Sequence, residues 1–159
     1  MANKKQDYGN EDITLLKGKD RVRLRPAVMF GSDGLGGCKH SVFEIISNSI
    51  DEAREGHGDK IIVTKYFDDS IEVQDFGRGC PLDCNNTVGR YNWELVYCEM
   101  YAGGKYDNAD YEYSLGLNGL GACATQYASE YMDVTVFRDG YEYSLHFENS
   151  FLISLYYHS

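Results

Sequence analysis

The chain has 159 residues, 43% apolar and 25% charged, with 15 basic against 25 acidic side chains and a formal net charge of −10. That length and balance fit one folded domain with a buried core and exclude a disordered, collagenous or repeat protein. No run approaches the roughly 18 apolar residues of a membrane span, and the opening MANKKQDYGNED lacks the apolar stretch of a secretory signal. The acidic balance argues against a domain that grips a nucleic-acid backbone unaided, so any DNA it serves is expected to touch other parts of a larger assembly.

In chain order, residues 1–11 are polar, and residues 12–25 read as an extended lead into a short helix that stops at Pro26. Glycines 31, 34, 36 and 37 make a loop. From Cys38 to Glu55 the apolar positions Val42, Phe43, Ile46, Ile50 and Ala53 recur at helical steps, and Gly56 and Gly58 end the helix. Lys60–Tyr66 and Ser70–Asp75 are strands around an Asp68-Asp69 turn. Phe76–Arg90 is a loop, Tyr91–Tyr101 a helix, Ala102–Asn118 a glycine-rich loop, and Gly119–Glu130 a second major helix. Met132–Arg138 and Tyr141–Glu148 are strands joined by the hairpin dipeptide Asp139-Gly140. Phe151–Ser159 breaks composition: it has no Lys, Arg, Asp or Glu, and six of its nine residues are apolar or aromatic. The five cysteines contain no C-x-x-C pair and complete no zinc set, the pattern of reduced thiols.

Three segments can carry chemistry. The second face of the Cys38–Glu55 helix presents Glu44, Asn48, Asp51, Glu52 and Glu55. Glu44 and Asn48 are one turn apart, so a carboxylate that can deprotonate water stands beside an amide oxygen that can ligate magnesium without adding charge. Alone, the pattern favours a solvated face. The second segment is Asp75-Phe76-Gly77-Arg78-Gly79. A carboxylate buried at the strand end needs a donor, such as the exocyclic amine of adenine, and the two glycines let a flat ring approach the backbone. An ordinary turn has the same residues. The third is Gly116-Leu117-Asn118-Gly119-Leu120-Gly121, a glycine run opening a helix, where backbone N–H groups attract phosphate; Gly103-Gly104-Lys105 upstream adds a cation. It is neither a dinucleotide fingerprint nor a P-loop.

In this order the three segments resemble the ATP-binding domain of the superfamily that includes gyrase, heat-shock chaperones, histidine kinases and mismatch-repair ATPases. More narrowly, Leu16–Pro26, Val42–Ala53, Ala102–Tyr106 and Tyr113–Ala122 are similar to the B subunits of bacterial type IIA DNA topoisomerases. The resemblance implies an α/β sandwich, a mixed sheet covered on one face by helices. It implies an N-terminal arm over residues 1–14, an incomplete ATP-binding domain over 15–150 and an atypical tail over 151–159.

By the same resemblance Glu44 is the general base, Asn48 the Mg2+ ligand and Asp75 the adenine-reading carboxylate. Arg78, Gly79 and Pro81 line the base pocket. Lys105, Tyr111, Gly116, Leu117, Asn118, Gly119, Leu120, Gly121 and Ala122 form the phosphate lid. Tyr8 and Ile13 belong to an arm that crosses to a second copy of the subunit when ATP closes the dimer. Three residues depart from the family pattern: Ser47 for an aspartate, Asn118 for a histidine and Cys80 for an isoleucine. A threonine-bearing strand and a transducer domain whose lysine contacts the terminal phosphate are expected to be missing. The implied function is ATP-driven gate closure coupled to DNA strand passage in a cytoplasmic enzyme that includes a topoisomerase A subunit. The alternative is a truncated fragment that binds nucleotide weakly or not at all.

Overall fold

A computed structural model describes residues 15–102 and 120–159. The elements run α1 (Gly18–Leu24), α2 (Pro26–Phe30), α3 (Leu35–Arg54), β1 (Ile61–Lys65), β2 (Ile71–Asp75), β3 (Cys84–Asn85), β4 (Arg90–Tyr91), α4 (Asn92–Cys98), α5 (Gly121–Ala128), β5 (Tyr131–Arg138), β6 (Tyr141–Glu148) and β7 (Phe151–His158). Helices and antiparallel sheets make up the α/β class expected from the sequence. Among the described residues the strands pair in three separate sheets, β1-β2, β3-β4 and β5-β6-β7.

Pro26 does end the first helix, but it also begins the next. It occupies the first turn of α2, where a missing N–H breaks no helical bond. Gly31, at φ 73°, closes α2 in the left-handed conformation.

The long helix α3 starts at Leu35, three residues before the sequence suggests, and its burial does not follow the apolar stripe. Its fully buried residues are Gly37, Ser47, Ser49 and Asp51, whereas Phe43 is 52% exposed. Of these side chains Ser49 borders the cavity described below. Ser47 satisfies its hydroxyl on the Phe43 carbonyl one turn back, at 2.8 Å.

Helix α5 packs on α1, α3 and α4. Its Cys123, Ala124 and Tyr127 join Val22 and Phe30 in one buried cluster. Ala122 packs against the other cluster, Leu82, Tyr97, Val136, Leu145 and Phe147, so one short helix touches both cores. The Arg23 guanidinium closes its carbonyl end, donating to the Tyr127 and Ser129 carbonyls at 3.2 and 3.4 Å and to Ser150 Oγ at 3.3 Å. A cation is favoured there by the helix dipole.

The β5-β6 turn, Asp139-Gly140, has φ of 53° and 81°, the left-handed pair that matches strand twist. Asn149 and Ser150 repeat the device at φ 48° and 75° and turn the chain into β7. Phe151–His158, the segment that departs in composition, therefore continues the sheet, with Leu145 opposite Leu155. Leu152 and Leu155 pack on the second cluster, and the Lys19 ammonium sits 3.1 Å from the centre of the Phe151 ring. No helix among the described residues is long and apolar enough to cross a membrane.

Phe147 is fully buried at the centre of the second cluster. Phe147→Ala is expected to cost about 3–5 kcal/mol in a urea titration, the usual range for emptying such a site. A loss below about 1 kcal/mol would mean that β6 is not packed as described.

Candidate functional site

The inward face of α3, the loop after β2, the head of α5 and the outer side of β5 enclose a cavity of about 1230 Å³. Ile45, Val73, Val96, Val134 and Val136 give it apolar walls wide enough for a flat ring. Among the described residues the outer edges of β2 and β5 carry no strand partner, and both strands border the cavity.

At one end stands Glu44. Its Oε1 lies 3.1 Å from His40 Nε2, one turn earlier, while His40 Nδ1 lies 3.2 Å from the Phe30 carbonyl. A carbonyl and a carboxylate both only accept, so the two contacts together are made by a ring that carries a hydrogen on each nitrogen, Nδ1–H toward Phe30 and Nε2–H toward Glu44. The α2–α3 turn thereby fixes the ring and the ring fixes the carboxylate. Gly121, the first residue of α5, presses against the same side chain: a Cβ there would overlap Glu44 Oε2 and sit 2.9 Å from Glu44 Cβ. Only glycine admits this approach. It brings the head of α5, which has no side-chain cap, up to the carboxylate. The first N–H groups of a helix lack internal partners and favour anions. Asn48, on the next turn of α3, is exposed on the same wall.

At the other end stands Asp75, closing β2. The sequence leads one to expect a buried carboxylate; Asp75 is exposed, because the adjoining edge of β2 is open. Its donors are Ser49 Oγ, 2.7 Å from Oδ2, and the Gly77 N–H, 3.0 Å from Oδ1. One lone-pair direction on each oxygen remains to accept from a ligand.

Arg78 holds the intervening loop to α3. Its Nε and Nη2 reach Glu52 Oε1 and Oε2 at 2.8 and 2.9 Å, its Nη2 reaches Glu55 at 2.7 Å, and its backbone N–H reaches Glu52 at 2.9 Å. These bonds, led by the guanidinium hydrogen bonds, pull the Glu52 carboxyl from the ordinary 4.5 down to about 2. Gly79, at φ 73°, tucks under β5, where a Cβ would lie 2.6 Å from the Phe137 carbonyl oxygen; Arg138 Nη1 donates to the Gly79 carbonyl at 2.7 Å. Cys80 also borders the cavity, and burial lifts its thiol to about 11, a poor nucleophile.

The structure thus brings Glu44, Asn48, Asp75, Arg78, Gly79, Pro81, Leu120, Gly121 and Ala122 around one hollow. Asp51, read on the same helix face, is buried away from it. Tyr8, Ile13, Lys105, Tyr111, Gly116, Leu117, Asn118 and Gly119 lie outside the described residues. Sequence reasoning missed His40, Ser49 and Arg138. The i, i+4 spacing of His40 and Glu44 was a usable signal; Ser49 meets Asp75 across 26 positions, which no local pattern reveals.

No group of three His, Cys, Asp or Glu among the described residues is arranged to hold a metal ion. A lone amide oxygen near a carboxylate does fit magnesium, which keeps most of its waters and takes other ligands from substrate phosphates.

No family model matches the chain. Individual proteins do. Over 150 residues it is 43% identical to the B subunit of DNA topoisomerase 4 from Bacillus subtilis, covering 94% of this chain and 23% of that protein. Over 143 residues it is 42% identical to the B subunit of DNA gyrase from Thermotoga maritima, covering 90% and 22%. Nearly the whole chain is thus similar in sequence to B subunits of DNA topoisomerase 4 and DNA gyrase. The type 2 topoisomerase B subunit of Aquifex aeolicus is similar at 41% identity over 143 residues, 90% of this chain and 18% of that protein. The chain therefore spans between 18% and 23% of the length of these relatives.

The Glu52–Arg78 bonds predict a pH signature. A carboxyl depressed in the folded state contributes stability that is complete above its unfolded value of 4.5 and fades as the pH falls toward about 2. Arg78→Met should lower the melting temperature most near neutrality, and the gap to the unmodified chain should close as the pH falls below about 4. A gap independent of pH would contradict the ion pair.

Proposed function

We propose that this chain forms the nucleotide pocket of an ATP-driven type IIA topoisomerase B subunit. The observation that carries the reading is the shared cavity: Asp75 with its open lone pairs at one end, Glu44 and Asn48 at the other, and the head of α5 beside Glu44. The names of the relatives favour the same reading.

On this reading the adenine ring lies between the apolar walls with its exocyclic amine on Asp75, bounded by Gly79, Arg78 and Pro81. The triphosphate runs toward α5, where Leu120, Gly121 and Ala122 offer backbone N–H groups and Lys105, Tyr111 and Gly116–Gly119 complete the lid. Asn48 holds a magnesium ion through its amide oxygen; bound there, the ion neutralises charge on the phosphates. Glu44, oriented by His40, takes the proton of the water that attacks the γ-phosphate. The carboxylate gains a proton as the O–P bond forms and ADP leaves.

The wider reading rests on the resemblance to topoisomerase and gyrase B subunits. ATP binding closes a gate between two copies of the subunit, with Tyr8 and Ile13 in the crossing arm, and hydrolysis reopens it. DNA passage takes place in a cytoplasmic assembly with the topoisomerase A subunit, and the acidic surface of this segment leaves DNA contact to other regions.

Two substitutions separate the two ends of the pocket. MgATP should raise the melting temperature of the chain. Asp75→Asn should abolish that rise, while Glu44→Gln should keep it. In a B subunit carrying this segment, Glu44→Gln should cut phosphate release about 10²–10⁴-fold, the usual worth of a general base. Full turnover in Glu44→Gln, or an undiminished thermal shift in Asp75→Asn, would contradict the assignment.

A further inference from the structure

We infer that Ser49 is a specificity-determining residue of the pocket, one that makes its base-reading edge an all-acceptor surface and so selects a 6-amino purine over a 6-oxo purine. The inference rests on the nucleotide reading of the cavity and goes beyond it by assigning a second residue to base choice.

Ser49 is 4% exposed, lies on the inward face of α3 and borders the cavity beside Asp75. A serine hydroxyl has one hydrogen and can present it to a ligand or withhold it. Here the hydrogen goes to Asp75 Oδ2, with Oγ 2.7 Å away. The consequence is twofold. Ser49 and the Gly77 N–H, one on each carboxylate oxygen, fix the rotation of the Asp75 side chain. The hydroxyl also loses its ability to donate into the cavity, so Ser49 and Asp75 together show only lone pairs. An amino group at position 6 of a purine meets acceptors. An oxo group at that position brings a lone pair against lone pairs and finds no donor on either residue, so the two substituents are told apart.

Alanine at position 49 suits the helix and removes only the hydroxyl. The carboxylate then keeps one of its two anchors and turns more freely, so the amine loses a preorganised acceptor. Threonine retains the hydroxyl.

The test is calorimetric binding of MgATP and MgITP, which differ in the substituent at position 6, to the 159-residue chain and to Ser49→Ala, Ser49→Thr and Asp75→Asn, each checked for an unchanged helical signal by circular dichroism. The unmodified chain should prefer ATP. Ser49→Ala should bind ATP about tenfold more weakly with ITP unaltered, the worth of one well-placed hydrogen bond, and Ser49→Thr should restore the ratio. An unchanged ATP-to-ITP ratio in Ser49→Ala, alongside a collapsed ratio in Asp75→Asn, overturns the role of Ser49 and leaves the purine reading standing. If the unmodified chain does not distinguish the two nucleotides, or Asp75→Asn leaves the preference intact, the purine reading falls and Ser49 falls with it.

Discussion

At the head of α5 the backbone of Gly121 runs so close to Glu44 that a Cβ would overlap the carboxylate. This contact sets the distance between the two helices that wall the cavity. It holds because α5 is anchored along its length: Cys123, Ala124 and Tyr127 in one core, Ala122 against the other, and Arg23 across its carbonyl end. A helix fixed in this way brings unpaired N–H groups to the carboxylate with no side chain between them. On the proposed reading the terminal phosphate, the attacking water and the base meet there, and both cores bear on the position of that meeting point.

The opposite end is organised by hydrogen bonds between polar groups rather than by packing. Arg78 is committed to Glu52 and Glu55, so it serves as a strut between the glycine loop and α3. Asp75 takes one protein donor on each oxygen and keeps an open side. The cavity therefore has the N–H groups of α5 beside the Glu44 carboxylate in one part and the acceptors of Asp75 in another, with aliphatic walls between them. That order of chemistry suits a molecule with a donor-bearing ring at one end and anionic groups at the other.

Much of this was legible in the sequence. The helix through Glu44 and Asn48, the strand ending at Asp75, the hairpin at Asp139-Gly140 and the helix after Gly119 all carry local signals of period, punctuation or turn chemistry. The gathering of their residues around one cavity was expected only through resemblance, since no local pattern records a contact as distant as Ser49 with Asp75. The buried face of α3 escapes periodicity because periodicity counts apolar residues, and this helix buries serines and an aspartate while exposing Phe43. Strand β7 escapes it because its apolar and aromatic residues do not alternate cleanly and the Asn149-Ser150 turn lacks the glycine that marks the preceding hairpin. The open side of Asp75 has no sequence signal either, because burial at a strand end depends on which neighbour pairs with that edge.

The most direct measurement is a crystal structure of the chain bound to a non-hydrolysable ATP analogue and magnesium. The account predicts the exocyclic amine within hydrogen-bond distance of Asp75, the terminal phosphate against the first turn of α5, and Glu44 facing it through one water. An analogue bound outside this cavity, or one lying in it with phosphates toward Asp75 and base toward Glu44, would contradict the account.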